Sequence, residues 1–508
     1  MHMNALAKGS KLWWYVAGFG ALLFLFLRSF VLPCTPLAAT GDQVLFFARA
    51  QHMLHGQVMY RDFFEVVTPG NNLIDAAILR VFGLHAWVVP ACDVFMGVAM
   101  FALITLTTAE ILEGAWVLLP GVLFLAFVFS ESSNVTHHWY STLAAQAALY
   151  VLLRGRSTKH IATAGSLCAI SVLFTQTQGV LVFVAIAAYL LWISSRKTIV
   201  QRLLTFGLPC AVIVGCVLCY YVLQAGWKTL YFDLVVFPVR YMSTAEPNTL
   251  RTYLQQFPAV HGSGDLVRSL PYIFVYALVP YIYLVSAYSL WRSKNELFPE
   301  LRQRLFLLHL IGIALFLAVA HGPRFFRLCT VSPSAVILFV WLLSRQERWS
   351  RVIRSSMYSA AVLFMVMLAV SRQARWHNTL QLPIGRTAFI DQTSAEAFAW
   401  MVQRTKPGDA FFNQPALSLY LELSTPALVE FVNDDEFTRP DQVTAVIAWM
   451  QQNQPRYVVM LPKAANYQPE HSHSEPFRQY VQAKYRLSRS FSTKKPSSWR
   501  EEIWERRP

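Results

Sequence analysis

The chain has 508 residues, of which 55% are hydrophobic and 14% charged, and its mean hydropathy is +0.39. So much apolar side chain exceeds what a water-soluble core hides, which excludes an ordinary soluble enzyme and assigns the chain to a membrane. The net charge of +15 comes from 43 Lys and Arg against 28 Asp and Glu, and the basic residues sit in short loops between apolar runs, a pattern of membrane orientation that excludes nucleic acid as a partner.

At the N-terminus, Lys8 and Lys11 precede an apolar run over 12–32. Its length of about 20 residues suits an uncleaved first span, and no small-x-small cleavage site precedes Pro33-Cys34. The stretch TGDQVLFFARAQHMLHGQVMYRDFFEVVTPGNN (40–72) follows directly, carrying Asp42, Arg49, Arg61, Asp62 and Glu65, and its spacing predicts a helix over 43–55 just outside the membrane. Further apolar runs lie at about 88–110, 115–130, 139–153, 160–176, 178–193, 203–223, 270–291, 304–320, 328–344 and 355–371. With the first run they make eleven candidate spans, to within two.

The loops at 154–159, 194–202, 291–304 and 344–354 are strongly basic and fall on one side of this threading, the cytoplasmic side, together with the N-terminus. The opposite side receives 33–87, 131–139, 175–179, 224–269, 320–326 and everything after 371. Cys92, Cys168, Cys210, Cys216 and Cys219 lie within apolar runs, so Cys216-x-x-Cys219 reads as small buried or lipid-facing residues and no disulfide framework is expected.

After residue 371 the composition becomes that of a water-exposed domain. Helical spacing covers 394–404, Pro407-Gly408-Asp409 marks a turn, and 441–462 reads as an amphipathic helix, a Pro-containing turn and a buried strand. The expected organisation is therefore a transmembrane domain over 1–371 and a small extracytoplasmic α/β domain over 372–508, in a mainly α polytopic protein of the inner, cytoplasmic membrane. The chain contains no glycine-rich phosphate loop, no HExxH and no repeat of solenoid period.

Polar side chains gathered on one face of such a protein are costly unless they line a watery cavity or bind a ligand. They are Asp42, Arg61, Asp62 and Glu65 in the first outer loop, His137 and His138 in the second, and Gln176 and Gln178 in the third. Arg240 and Tyr241 come from the fourth, and His321, Arg324 and Arg327 from the fifth. The carboxylates come from the first loop and the cations mostly from later ones, a division that suits a base acting on one reactant and a cationic cradle for an anion on the other.

The stretch GDQVLFFARAQHMLHGQVMYRDFFEVVTPG resembles the first extracytoplasmic loop of the GT-C superfamily of glycosyltransferases, in the group of protein O-mannosyltransferases and lipid A aminoarabinose transferases. HHWYSTLAAQAALYVLLRG (137–155), LFTQTQGVLVF (173–183), FPVRYM (237–242) and GPRFFRLCTVSPSAVILF (322–339) extend the likeness over roughly 10–371. The resemblance implies a fold with juxtamembrane helices in the first outer loop and an inverting transfer of sugar from a polyprenyl phosphate to an acceptor hydroxyl on a glycan, lipid or protein. It implies Asp42 as the catalytic aspartate. Asp62, Glu65, His137 and His138 would then serve the acceptor or a metal, Arg61, Arg240, Tyr241, His321 and Arg324 the donor phosphate, and Gln176 and Gln178 would line the cavity. The family often has Asp-Glu where this chain has Asp42-Gln43, so any role of that second acid falls to Glu65 or Asp62 or is missing.

The residues leave other readings open. Asp42 also suits a helix cap, Asp62 and Glu65 suit solvated loop charges, and Arg240 and Arg324 suit anchors at the lipid headgroups. One of the two histidines is free to pack structurally, and a divalent metal ion at Asp42, Glu65 and His137 or His138 is left undecided by their spacing. A transporter or lipid-linked-sugar flippase would share the spans and the polar cavity, but would carry its ionisable groups nearer the bilayer midplane. A non-catalytic scaffold is the third alternative.

Overall fold

All eleven apolar runs fold as helices. The computed structural model describes residues 8–242, 257–258, 260, 262–293, 295–346, 349–426, 428–432, 438–460, 469–492 and 500–508; part of the fourth outer loop (243–256, 259 and 261) and parts of two basic loops (294, 347–348) lie outside the described residues. Among the described residues eight helices are long and apolar enough to cross a membrane, and nine if a bent pair counts as one span. The protein is thus a polytopic helical membrane protein. The two remaining runs are the polar-interrupted His137–Arg154 and the shorter Thr158–Phe174.

The bent pair, Phe325–Val331 and Pro333–Ser344, turns through 66°. Pro333 has no N–H to continue the first helix and its fixed φ suits the first position of the second, so the break falls where the sequence puts the ring.

The chain divides into two compact units, one built from 1–28, 92–219 and 246–373 and the other from 29–91, 220–245 and 374–508. The first is helical. Its helices approach closely at glycines: a Cβ on Gly165 would stand 2.0 Å from the Phe206 carbonyl oxygen, and one on Gly179 would stand 2.2 Å from the Val172 nitrogen. No side chain fits either place. An aromatic cluster of Phe124, Phe129 and Trp139, with ring centroids 5.1 to 6.1 Å apart, fills its centre.

The second unit holds the charged stretch. Helix α1 (Lys8–Ser29) ends just before it, and two short helices follow, α2 (Asp42–Leu54) and α3 (Gly70–Phe82). Its C-terminal part has a hairpin of Asn378–Leu382 with Gly385–Phe389 and a four-stranded sheet ordered Phe411–Phe412, Tyr457–Met460, Arg500–Arg506, Tyr485–Ser492. The first two strands of the sheet run parallel, the others antiparallel. Helix Pro440–Asn453 lays Val443, Val446 and Met450 against Phe412, Val458, Phe477 and Tyr485, the apolar stripe of an amphipathic helix on a strand buried at every position. Helix Gln392–Val402 starts where the Asp391 carboxylate accepts the Ser394 N–H at 2.7 Å.

Candidate functional site

Asp42 opens α2. Gly41, with φ of 75°, is the cap residue, because the chain turns into the helix through a conformation that glycine adopts at little cost. Asp42 is therefore not the cap that the sequence allowed: it is the first helical residue, it is exposed, and its charge lies in the turn where the helix dipole favours an anion. Gln43, at the position of the missing second acid, turns inward and donates to the Val89 carbonyl at 3.5 Å.

Glu65 is built the opposite way. It is 1% exposed; its Oε1 accepts the N–H of Val66 (2.9 Å) and Val67 (3.3 Å), and its Oε2 accepts Arg49 Nη1 (2.6 Å) and Asn72 Nδ2 (2.8 Å). These donors occupy the roughly four lone-pair sites of a carboxylate. Taking a proton from an acceptor would require breaking one of them, so the expectation that Glu65 replaces the absent second acid does not fit this geometry.

Arg49 also donates from Nε to Glu430 at 3.2 Å, which makes one guanidinium the bridge between two buried carboxylates. Burial opposes its charge, yet Glu430 and Glu65 hold its pKa above the ordinary value, while burial raises the Glu430 carboxyl against the pull of Arg49. Farther along α2, His52 is held near a pKa of about 4, by burial first and then by neighbouring His55 and Arg49.

Arg61 and Asp62 form a bidentate pair at 2.9 and 2.8 Å, and Asp62 also accepts the Val58 N–H at 2.7 Å. The hydrogen bond from Arg61 lowers the Asp62 pKa. A chain of rings leads from this loop to the fourth-loop residues: Phe64 meets Phe237 edge-on at 4.8 Å, Phe237 stacks on Tyr241 at 5.1 Å, and the Arg240 guanidinium lies 5.6 Å from the Tyr241 ring centroid. Arg61, Asp62, Arg240 and Tyr241 thus belong to one unit. Two residues that the sequence reading missed join them. Arg439 lies over Phe64 (4.6 Å) and Phe232 (5.4 Å), and Asp233 is 4% exposed, with its pKa pushed up to about 7 by burial, a shift that Arg439 opposes. A single acid in the otherwise apolar segment FDLVVFPV was the available signal for Asp233.

The remaining candidates lie in the helical unit. His137 Nδ1 and Thr175 Oγ1 are 2.8 Å apart, and the rings of His137 and His138 lie tilted at 37° with centroids 4.0 Å apart. His138 Nδ1, Thr136 Oγ1 and both amide atoms of Gln178 are buried without a hydrogen-bond partner among the described residues. Arg327, close enough to act electrostatically on both histidines and on His321, donates to the Gly322 carbonyl at 3.2 Å. His321, in the turn before Phe325–Val331, has its pKa lowered by burial and then by Arg327. Arg324 is the cap residue of that short helix, and Gln176 starts the helix Gln176–Ile193. Among the described residues no three His, Cys, Asp or Glu side chains are grouped to hold a metal ion.

The chain, a polytopic helical scaffold with a small α/β part, has the GT-C-like fold. It matches no protein-family model and no curated protein. Among solved structures it is similar to ArnT from Cupriavidus metallidurans bound to undecaprenyl phosphate, at 14% identity and a TM-score of 0.62, covering 98% of each chain. It is also similar to the oligosaccharyltransferase of Archaeoglobus fulgidus in the apo form, at 12% identity and a TM-score of 0.53, over 90% of this chain and 70% of that one. The archaeal oligosaccharyltransferase AglB from the same organism, in complex with an inhibitory peptide and a dolichol-phosphate, matches at 13% identity and a TM-score of 0.54, over 89% and 70%. At these identities the likeness concerns the fold.

Proposed function

We propose that this protein is an inverting glycosyltransferase that moves a sugar from a polyprenyl phosphate to an acceptor hydroxyl at the outer face of the cytoplasmic membrane. The observation that carries the reading is the placement of Asp42: an exposed carboxylate at the start of α2, the first helix after the first span in sequence, in a GT-C-like fold. ArnT and AglB, which share the fold, were determined with undecaprenyl phosphate and dolichol-phosphate.

In this reading the N-terminus is cytoplasmic, residues 372–508 are extracytoplasmic, and Asp42 is held at headgroup level because the scissile bond is there. The acceptor oxygen attacks the anomeric carbon from the face opposite the phosphate. Its proton passes to the Asp42 carboxylate, the bond from carbon to phosphate oxygen breaks, and the lipid phosphate leaves with one more negative charge. Arg240 offers that phosphate a charge-assisted hydrogen bond; phosphate leaves readily, so no general acid is required. No step is routed through a metal ion.

The test is sugar transfer by the purified protein in detergent, from a synthetic polyprenyl phosphate sugar, by the parent and by Asp42→Asn. Transfer by the parent and its loss in the variant, with thermal unfolding unchanged, supports the reading. Equal transfer by both removes Asp42 from the chemistry.

A further inference from the structure

The charged stretch is bound to the chain's C-terminal residues within the second unit. Ala39 N donates to Tyr420 Oη at 2.7 Å, His52 Nε2 lies 3.3 Å from Thr425 Oγ1, and Phe64 N donates to the Leu428 carbonyl at 3.3 Å. Between these, Arg49 on α2 reaches Glu65 with Nη1 and Glu430 with Nε. The three side chains are 13%, 1% and 3% exposed, so each charge depends on the others for its solvation. Glu65 in turn fixes the N–H groups of Val66 and Val67, directly after YRDFF, and through Asn72 fixes the first turn of α3.

The consequence is geometric. α2 carries Asp42 at its head and Arg49 two turns later, while the loop after it carries Arg61 and Asp62; Arg49 is the charged link between them, and Glu430 holds Arg49 from the other side. We propose that Arg49 is a positioning residue, pinned by Glu430, which sets α2 and its Asp42 against the 58–67 loop, so that the C-terminal segment around 430 is required for a competent site. This rests on the proposed transfer reaction for its link to activity, but not for its link to loop order.

The experiment uses the full chain in detergent, with Glu430→Gln, Arg49→Lys and Arg49→Met, all checked for a monodisperse fold. Hydrogen exchange of peptides covering 58–67 is measured beside steady-state transfer from a synthetic polyprenyl phosphate sugar. Glu430→Gln is expected to speed exchange in 58–67 by about tenfold while helix Pro299–Val319 is unchanged, and to lower kcat by about tenfold with donor KM within twofold. Arg49→Lys, which keeps the charge but loses the fork, should restore part of both readouts relative to Arg49→Met. Unchanged exchange in Glu430→Gln overturns the inference whatever the activity. Faster exchange with kcat unchanged confines Arg49 to stability and overturns the positioning role. If the parent itself transfers no sugar, the proposed function fails, and exchange alone decides whether Glu430 orders the loop.

Discussion

The charged stretch of the second unit and the histidine cluster of the helical unit both bury polar groups, but they treat them differently. Around Glu65 every acceptor site has a donor and the carboxylate is buried, whereas Asp42 is solvent-exposed. Around His138 and Gln178, buried nitrogen and oxygen atoms have no partner among the described residues. A satisfied network stabilises one arrangement and does little chemistry, whereas a buried amide without partners costs about 1 to 3 kcal/mol unless water or a ligand completes it. The comparison separates the two regions more sharply than charge does: Glu65 belongs to a satisfied framework, and Gln178 keeps hydrogen-bonding capacity that water or a ligand would complete.

The largest effect should come from the exposed carboxylate. Asp42→Asn removes a base and is expected to cost about a hundred- to ten-thousand-fold in transfer rate. Because Gly41 is the cap, stability should change little, and even Asp42→Ala should lose only the helix-dipole contribution of about 0.3 to 1 kcal/mol. Parallel loss of rate and of several kcal/mol in Asp42→Ala would make it a structural residue like Glu65. Next in size is Arg240→Ala. A charge-assisted hydrogen bond contributes about 1.5 to 3 kcal/mol, which corresponds to a roughly ten- to hundredfold rise in donor KM, with acceptor KM unmoved. Equal changes in both would return Arg240 to a headgroup anchor.

Much of this was legible in the sequence. Each apolar run became a helix because in a bilayer the backbone must satisfy itself within the segment, so hydropathy alone locates the spans. The helix predicted over 43–55 forms one residue earlier, and the strand foreseen near the end of 441–462 is Tyr457–Met460, buried at every position. What stayed hidden depends on long-range pairing. Nothing near Glu65 announces Glu430, hundreds of residues away, and the hairpin Asn378–Leu382 with Gly385–Phe389 lacks a clean alternation of apolar and polar residues. The exposure of Asp42 and the burial of Glu65 were equally unreadable, since two carboxylates in the same loop met opposite surroundings.

Gln178 tests the other side of the comparison. Leu has nearly the same volume and no polar atoms, so Gln178→Leu should raise thermal stability by about 1 to 3 kcal/mol if the amide has no partner within the protein. It should also weaken binding of a polyprenyl phosphate sugar measured by tryptophan fluorescence. A destabilised variant with unchanged binding would place Gln178 with Glu65 in the framework.

The smallest effect is a pH dependence at Asp233, a buried carboxyl that lacks the full set of donors around Glu65. Its folded pKa of about 7 lies above the ordinary carboxylate value of about 4, so the folded state binds this proton more tightly than the unfolded chain does. The stability it contributes is therefore complete below pH about 4 and is lost as pH rises through about 7. Between pH 6 and pH 8 the loss amounts to about 1.4 kcal/mol, a few degrees at most in the unfolding midpoint. Asp233→Asn cannot ionise and should remove that slope, leaving the variant more stable than the parent at pH 8 and nearly equal to it only at about pH 4 and below. Thermal unfolding followed by intrinsic fluorescence across that range provides the measurement. Identical slopes in parent and variant would show that Arg439 keeps Asp233 ionised throughout, making the two a satisfied pair of the same kind as Arg49 and Glu65.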